Sequence, residues 1–400
     1  MPRPTILITA ALAIAIAAST FVAACQTRHR TIQVGPGGPE FAARAEREEN
    51  IELDLVAGAV LGIEGSTGPL RIEVTHSGRS EFRARLVAAG RDAQEAEAVL
   101  ARYSLNVVRD AQGVHVRVIG QPLRVEGGSV QELAVATQIT VFVPPGTAID
   151  ACGSTGSIEA SGPLGDTQLE TSFGAVEVSG VRGALDVQTG SGRIDAVDIE
   201  GPRMRLDSAF GAVTLARIRT EGIAIRTGSG GITVEDVESV DLDAHTQFGS
   251  IAIGGLRGNA QLATGSGSID VDGVDGTLHA RSEFGAIGAR GRFDAVTLES
   301  GSGAIELHAR PQSRMASDWS LVSGFGAVRV RLPADFGGEL DAHTSFGAVD
   351  CELALLIEAV AGSTGRGVRG RIAAPAAPAA PGTLTLRTGS GNVRIERARE

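Results

Sequence analysis

The sequence has no lysine: all 36 of its basic residues are arginine. Schiff-base catalysis and any phosphate loop that depends on a lysine are thereby excluded. Aromatic residues are scarce as well, 4% of 400 residues, with Trp319 and Tyr103 the single Trp and Tyr. Little is left to line the groove of a carbohydrate-cutting enzyme. The three cysteines, Cys25, Cys152 and Cys351, lack the close pairing of a zinc site, and the seven histidines are not spaced as metal ligands. A formal net charge of -11 makes the chain a poor surface for phosphodiester backbones, so nucleic acid is not an expected partner. What abounds is glycine, 54 residues beside 42% apolar ones, a mix that can bury a core and turn often.

Residues 1–24 read as a secretory leader: one early charge, Arg3, then a mostly apolar run from Ile6 through Ala18, then Val22-Ala23-Ala24 before Cys25. This end resembles the bacterial lipobox, which implies that Cys25 is diacylated and becomes the new N-terminus. Each buried methylene contributes roughly 0.8 kcal/mol, so the acyl chains would hold the protein to a membrane. An uncleaved helix is the competing reading, because Ile6 to Ala24 is about as long as a bilayer is thick. Gln26, rather than an aspartate, points to the outer membrane of the cell envelope. Residues 25–50, with Gly35-Pro36-Gly37-Gly38-Pro39 and a charged run ending in Glu48-Glu49, read as a lipid-anchored tether.

From residue 151 the sequence repeats about every 19 residues, with register glycines that include Gly156, Gly174, Gly192, Gly211, Gly230, Gly249 and, at the far end, Gly365. Two residues after them runs a β-branched column through Val176, Ile194, Val213, Ile232 and Ile251, and two further on a second apolar column. Five residues before the glycines stand Leu169, Val187, Leu206 and Ile225; seven after stand Val181, Ile199, Ile218 and Val237. Short period-two strands in a fixed repeat predict an all-β parallel β-solenoid, or β-helix, of about 12–13 rungs, each too small to bury its apolar face alone.

The residue just before the register glycine alternates: Phe173, Ser191, Phe210, Ser229, Phe248, Ser266, Phe284, Ser302, but then Phe325 and Phe346. Placed at an inward corner, each phenylalanine would overhang a neighbouring rung where serine leaves room, and Ser191→Phe would overpack by about 1–3 kcal/mol. Two residues earlier a Ser/Thr column passes through Thr171, Thr189, Ser208, Thr227 and Thr246, hydroxyls that need partners from the turns or from the next rung.

Two segments interrupt the array. Residues 51–150 predict an opening rung, from Ile51 to Leu55 and Leu70 to Val74, followed by an insertion with a helix over 91–103 and strands at 105–108, 114–119 and 133–143. The helix is expected to cap the solenoid's open edges. Residues 151–400 form the repeat domain, in which the Pro/Ala loop at 373–382 is an excursion before Leu384 re-enters the pattern.

The insertion with its helix, then Val141-Phe142-Val143-Pro144-Pro145-Gly146, then the repeated Gly-Ser-Gly-x-Ile-x-Val units together resemble a bacterial envelope family named putative adhesin, a β-solenoid domain of unknown function. The likeness covers roughly residues 51 to 396. It implies a cell-surface role by name and brings no established activity with it.

Residue by residue, little chemistry emerges. The outward acids Glu159, Glu177 and Asp195 would stack on consecutive rungs, where like charges about 5 Å apart repel unless a cation sits between them. A divalent ion such as Ca2+ is thus the one cofactor left open, against the plainer reading of a solvated acidic edge. His245 and His343 share a variable, solvated column. The expectation is a non-enzymatic envelope lipoprotein, a surface scaffold or adhesin-like binding module, held to the membrane by its lipid and meeting an envelope protein or glycan. The alternatives are a polysaccharide-processing β-helix enzyme and an accessory protein of envelope sensing.

Overall fold

The structure, a computed structural model, describes residues 43–76, 79–127, 129–356, 367–372 and 382–398. The leader, Cys25 and residues 373–381 of the Pro/Ala loop lie outside the described residues.

The repeat winds into a parallel β-solenoid. Its middle is made of long strands, Ile194–Ser208, Val213–Thr227, Ile232–Thr246, Ile251–Thr264, Ile269–Ser282 and Ile287–Ser300, each paired in parallel with the next. Ile194 lies opposite Val213, Val213 opposite Ile232, and Ile232 opposite Ile251, so the β-branched column is a single interior file. Leu206, Ile225, Ala244 and Leu262 form a second file, and Val181, Ile199, Ile218 and Val237 a third; all are buried. Stacking at about 4.8 Å per rung is what removes these side chains from water. One buried cluster runs from Leu53 to Ile395.

Five of these long strands bend at a left-handed residue in the same place on successive rungs: Asp198 (φ 57°), Arg217 (φ 56°), Asp236 (φ 52°), Gly255 (φ 78°) and Gly273 (φ 82°). Glycine and aspartate tolerate this geometry. Arg217 is the exception, and Asp198 on the rung below grips its guanidinium with both carboxylate oxygens, at 2.6 and 3.0 Å.

The N-terminal end departs from expectation. The opening rung is Val60–Ser66 with Leu70–Val74, and the insertion supplies a rung outside it: Gly113–Gly120 pairs in parallel with the first strand, Val135–Val143 with the second. Antiparallel strands then cover this end, Tyr103–Arg109 on one face and Glu81–Gly90 followed by Ala43–Glu52 on the other. Residues 43–50, expected to belong to a tether, are therefore part of a strand. Residues 43–50 looked unpacked because only an inner core strand must show an apolar column, whereas Ala43–Glu52 is an edge strand whose charges discourage further pairing. The helix spans Ala93–Leu100, shorter than the 91–103 expected. Asp92 caps it by accepting the Glu95 N–H at 2.8 Å, while the Glu95 carboxylate accepts the Arg91 N–H at 2.6 Å. Its buried Ala96, Val99 and Leu100 pack on the antiparallel strands.

The C-terminal end breaks sequence order. Trp319–Ser323 and Val328–Leu332 do not stack on the strands that follow them but on Thr383–Ser390 and Val393–Arg397. Gly338–Phe346 and Val349–Cys351 lie outside those. The repeat step expected at Gly365 falls outside the described residues, and Gly367–Ile372 beside it runs antiparallel to Gly338–Phe346, closing that face.

Candidate functional site

The hydroxyl column builds one corner of the rungs from Thr171 onward. Thr227 Oγ1 donates to the Gly211 carbonyl of the preceding rung at 2.9 Å and accepts the Gly230 N–H of its own turn at 3.1 Å. Thr246 repeats the pattern with Gly230 and Gly249, and Thr264 with Gly249 and Gly267. The register glycines thus sit carbonyl over backbone. A Cβ on Gly192, Gly211 or Gly230 would overlap the carbonyl of the register glycine before it, and on Gly174 that of Gly156.

This turn corrects the placement of the phenylalanines. Alternation counted through the corner puts them inside, but the backbone turns at the register glycine and reverses the side-chain sense, a turn closed at Phe210, Phe248 and Phe284 by the bond from hydroxyl to the N–H three residues on. Phe173, Phe210, Phe248, Phe284, Phe325 and Phe346 all point outward, between 53% and 73% exposed. They are not packing residues.

In space their order is stricter than in sequence. Phe325 and Phe346 break the Phe/Ser rhythm along the chain, but Ser390 lies in register with Phe346, and Thr388 Oγ1 donates to Gly326 at 2.8 Å while Thr344 Oγ1 donates to Gly391 at 2.8 Å. The tail rung with Ser390 therefore sits between the two phenylalanine rungs. From Phe173 to Phe346 the file reads ring, serine, ring, serine without a fault, with rings two rungs or about 9.6 Å apart. Before it stands Thr155, in register with Phe173. Between Phe173 and Phe210 lies an open hollow of about 980 Å³ with Gly190 and Ser191 at its base and Arg226 and His245 on its wall.

Beside it on the same face runs a shallow groove of about 730 Å³ with Arg203 and Arg205 toward one end, Gly222 and Ala224 at the middle and Asp241 and Asp243 beyond. Asp186 lines it. One of its carboxylate oxygens is buried without a hydrogen-bond partner, and burial pushes the carboxyl above the usual aspartate range, against the opposing pull of Gln188 and Arg205.

Glu159, Glu177 and Asp195 do lie in register on consecutive rungs. Arginine occupies the role that the sequence left open to Ca2+: Arg71 reaches Glu159 at 2.7 Å, and Arg193 bridges Glu177 and Asp195. Elsewhere Arg219 lies between Glu200 and Glu238 at 3.1 and 3.0 Å, and with Arg257 it holds the Glu238 carboxyl below the usual range. Among the described residues no group of three or more His, Cys, Asp or Glu side chains is placed to hold a metal ion. His245 and His343 are exposed on separate rungs. Cys351 is a half-buried free thiol whose pKa burial pushes up.

A family described as Toastrack DUF4097 matches residues 127–345. No curated protein matches the chain. Three solved structures are similar. A putative cell adhesion protein from Clostridium sporogenes is 9% identical, over 89% of this chain and 100% of its own, with a TM-score of 0.21. A putative adhesin from Bacteroides fragilis is 13% identical, over 73% and 97%, with a TM-score of 0.28. A putative adhesin from Parabacteroides distasonis is 10% identical, over 88% and 97%, with a TM-score of 0.27.

Proposed function

The chain belongs to the Toastrack DUF4097 family, and from that premise we propose that it is a non-enzymatic, lipid-anchored rod of the cell envelope that works by surface contact. The observation that carries this reading is the outward file of phenylalanines. A chain with few aromatics has placed six of them on one exposed line, where each forgoes the stabilisation that burial would give. Large exposed apolar patches mark contact surfaces. The acids support the same reading from the other side: Glu177, Asp195, Glu200 and Glu238 are tied to arginines along the stack.

Lipidation at Cys25 supplies the anchor and the outer membrane the address. The test is made on the full-length chain in its membrane. Replacing the six phenylalanines by serine is expected to abolish recovery of envelope partners while leaving the thermal melt unchanged, and Cys25→Ala to abolish acyl labelling and release the protein. Recovery unaffected by the six replacements would overturn the contact reading. New reducing ends in envelope polysaccharide incubated with the protein would favour the enzyme instead.

A further inference from the structure

We propose that the phenylalanine file is a self-complementary seam for a second copy of this chain, docked antiparallel so that each ring of one rod enters a serine gap of the other. The proposal rests on the reading that this file is the contact surface, and it names the partner.

Area is the first argument. Six rings between 53% and 73% exposed, at roughly 200 Å² for a whole side chain, present about 800 Å² of apolar surface. That exceeds the largest patch usual on a monomer and equals what one partner of a stable interface contributes, about 800 Å².

Charge is the second. On a chain of net charge -11 two copies repel, except where charge is absent. Among the residues one before each ring and two after it, Glu283 alone is charged; beside the serines Arg193 alone is, and it already bridges Glu177 and Asp195.

Spacing is the third. Rings two rungs apart leave a gap floored by Gly190 and Ser191, Gly228 and Ser229, or Gly265 and Ser266. A ring inserted from another copy stands one rung, about 4.8 Å, from each neighbour, within the 4.5–7 Å separation that aromatic pairs prefer.

Symmetry is the fourth. A twofold axis between the rungs of Phe248 and Ser266 sets Phe248 against Ser266, Phe210 against Ser302 and Phe173 against Ser390. It also sets Phe284 against Ser229, Phe325 against Ser191 and Phe346 against Thr155. All six rings of each copy are seated, and the contact closes on itself as an isologous dimer. A parallel arrangement shifted by one rung has no twofold symmetry and would leave Phe346 of one copy beyond the end of the other's file. Because the chain enters the rod at the end where Ala43–Glu52 lies, the two copies enter the seam from opposite ends, as molecules on facing surfaces do.

The test uses full-length protein in its membrane. Gln247→Cys, beside Phe248 and one rung from its mate across the axis, is expected to cross-link into a dimer with a short bis-maleimide. Ala252→Cys, on the same rung but the other face, is not. Adding Ser266→Phe fills the central gap and is expected to lower the Gln247→Cys cross-link at least tenfold, with the melt unchanged. Equal cross-linking at Ala252→Cys, or no effect of Ser266→Phe, would overturn the seam. If no Gln247→Cys dimer forms while the six serine replacements still abolish recovery of envelope partners, the contact surface stands and its partner is a different molecule, such as a glycan. If recovery is also unaffected, both readings fall.

Discussion

At the scale of single residues, the corner hydroxyls do more than fill space. Thr246 is fully buried and bonds two backbone groups of different rungs. Thr246→Val keeps the volume and removes both bonds, and is expected to cost about 1–3 kcal/mol in chemical unfolding. The hydroxyl column and its need for partners were readable in sequence. The direction of the phenylalanines was not, because period-two counting assumes an extended backbone and the hydroxyl turn interrupts it. Since Ser191 points outward, Ser191→Phe is expected to change stability by no more than about 0.5 kcal/mol, the ordinary range of surface substitutions. Measured unfolding curves decide between this and an overpacked corner. Asp186 gives a pH-dependent case. Its carboxyl is raised in the folded chain, so the native state binds the proton more tightly than the unfolded one, and ionisation opposes folding above the raised pKa. Asp186→Asn is therefore expected to raise the melting temperature at pH 7. Its advantage should fade as pH falls through the raised value, and vanish below the ordinary aspartate range near 3.9.

At the scale of elements, the interior strands were legible and the ends were not. A column such as Ile194, Val213 and Ile232 declares its own neighbours, since each rung follows the last at a fixed step. The edge strand Ala43–Glu52 carries no such column. The tail strands carry one but not an address: any rung with the right pattern can stack on any other. One signal was nevertheless present, the two phenylalanines at 325 and 346 on successive repeats of the sequence with no serine repeat between them, a gap that Ser390 fills. Ending the chain after Gly382 would remove the fully buried Leu384, Leu386, Val393 and Ile395, each contributing about 1.5–3 kcal/mol. Limited proteolysis is then expected to cut within residues 333–356 while the central rungs stay intact. The candidate site was legible in its members and not in its face: the acids lie in register as expected, but Arg71 stands in their own column on the opening rung and Arg193 reaches them from beside the register glycine, so the column is not purely acidic.

At the scale of the whole molecule, stability in a stack is a sum over neighbouring layers, so a fault in the middle divides it. Gly230→Ala sets a methyl group against the Gly211 carbonyl, an overpacking that costs about 1–3 kcal/mol or more. Hydrogen exchange is expected to show the rungs around residues 211–249 opening first, with the two flanking stretches unfolding at different denaturant concentrations. A single coincident transition for all amides would mean that the rod behaves as one cooperative unit.

The tail rung constrains the timetable of assembly. Residues 383–397 occupy a layer inside the one formed by residues 338–351. A chain emerging from a ribosome or an export pore can wind each layer onto the last as far as Leu332, and must then wait. The next stretch has no seat until the residues that belong beneath it have also come through. Closure of this end is thus a receipt for delivery of the tail, and a chain cut short before it carries an open layer that a protease can read.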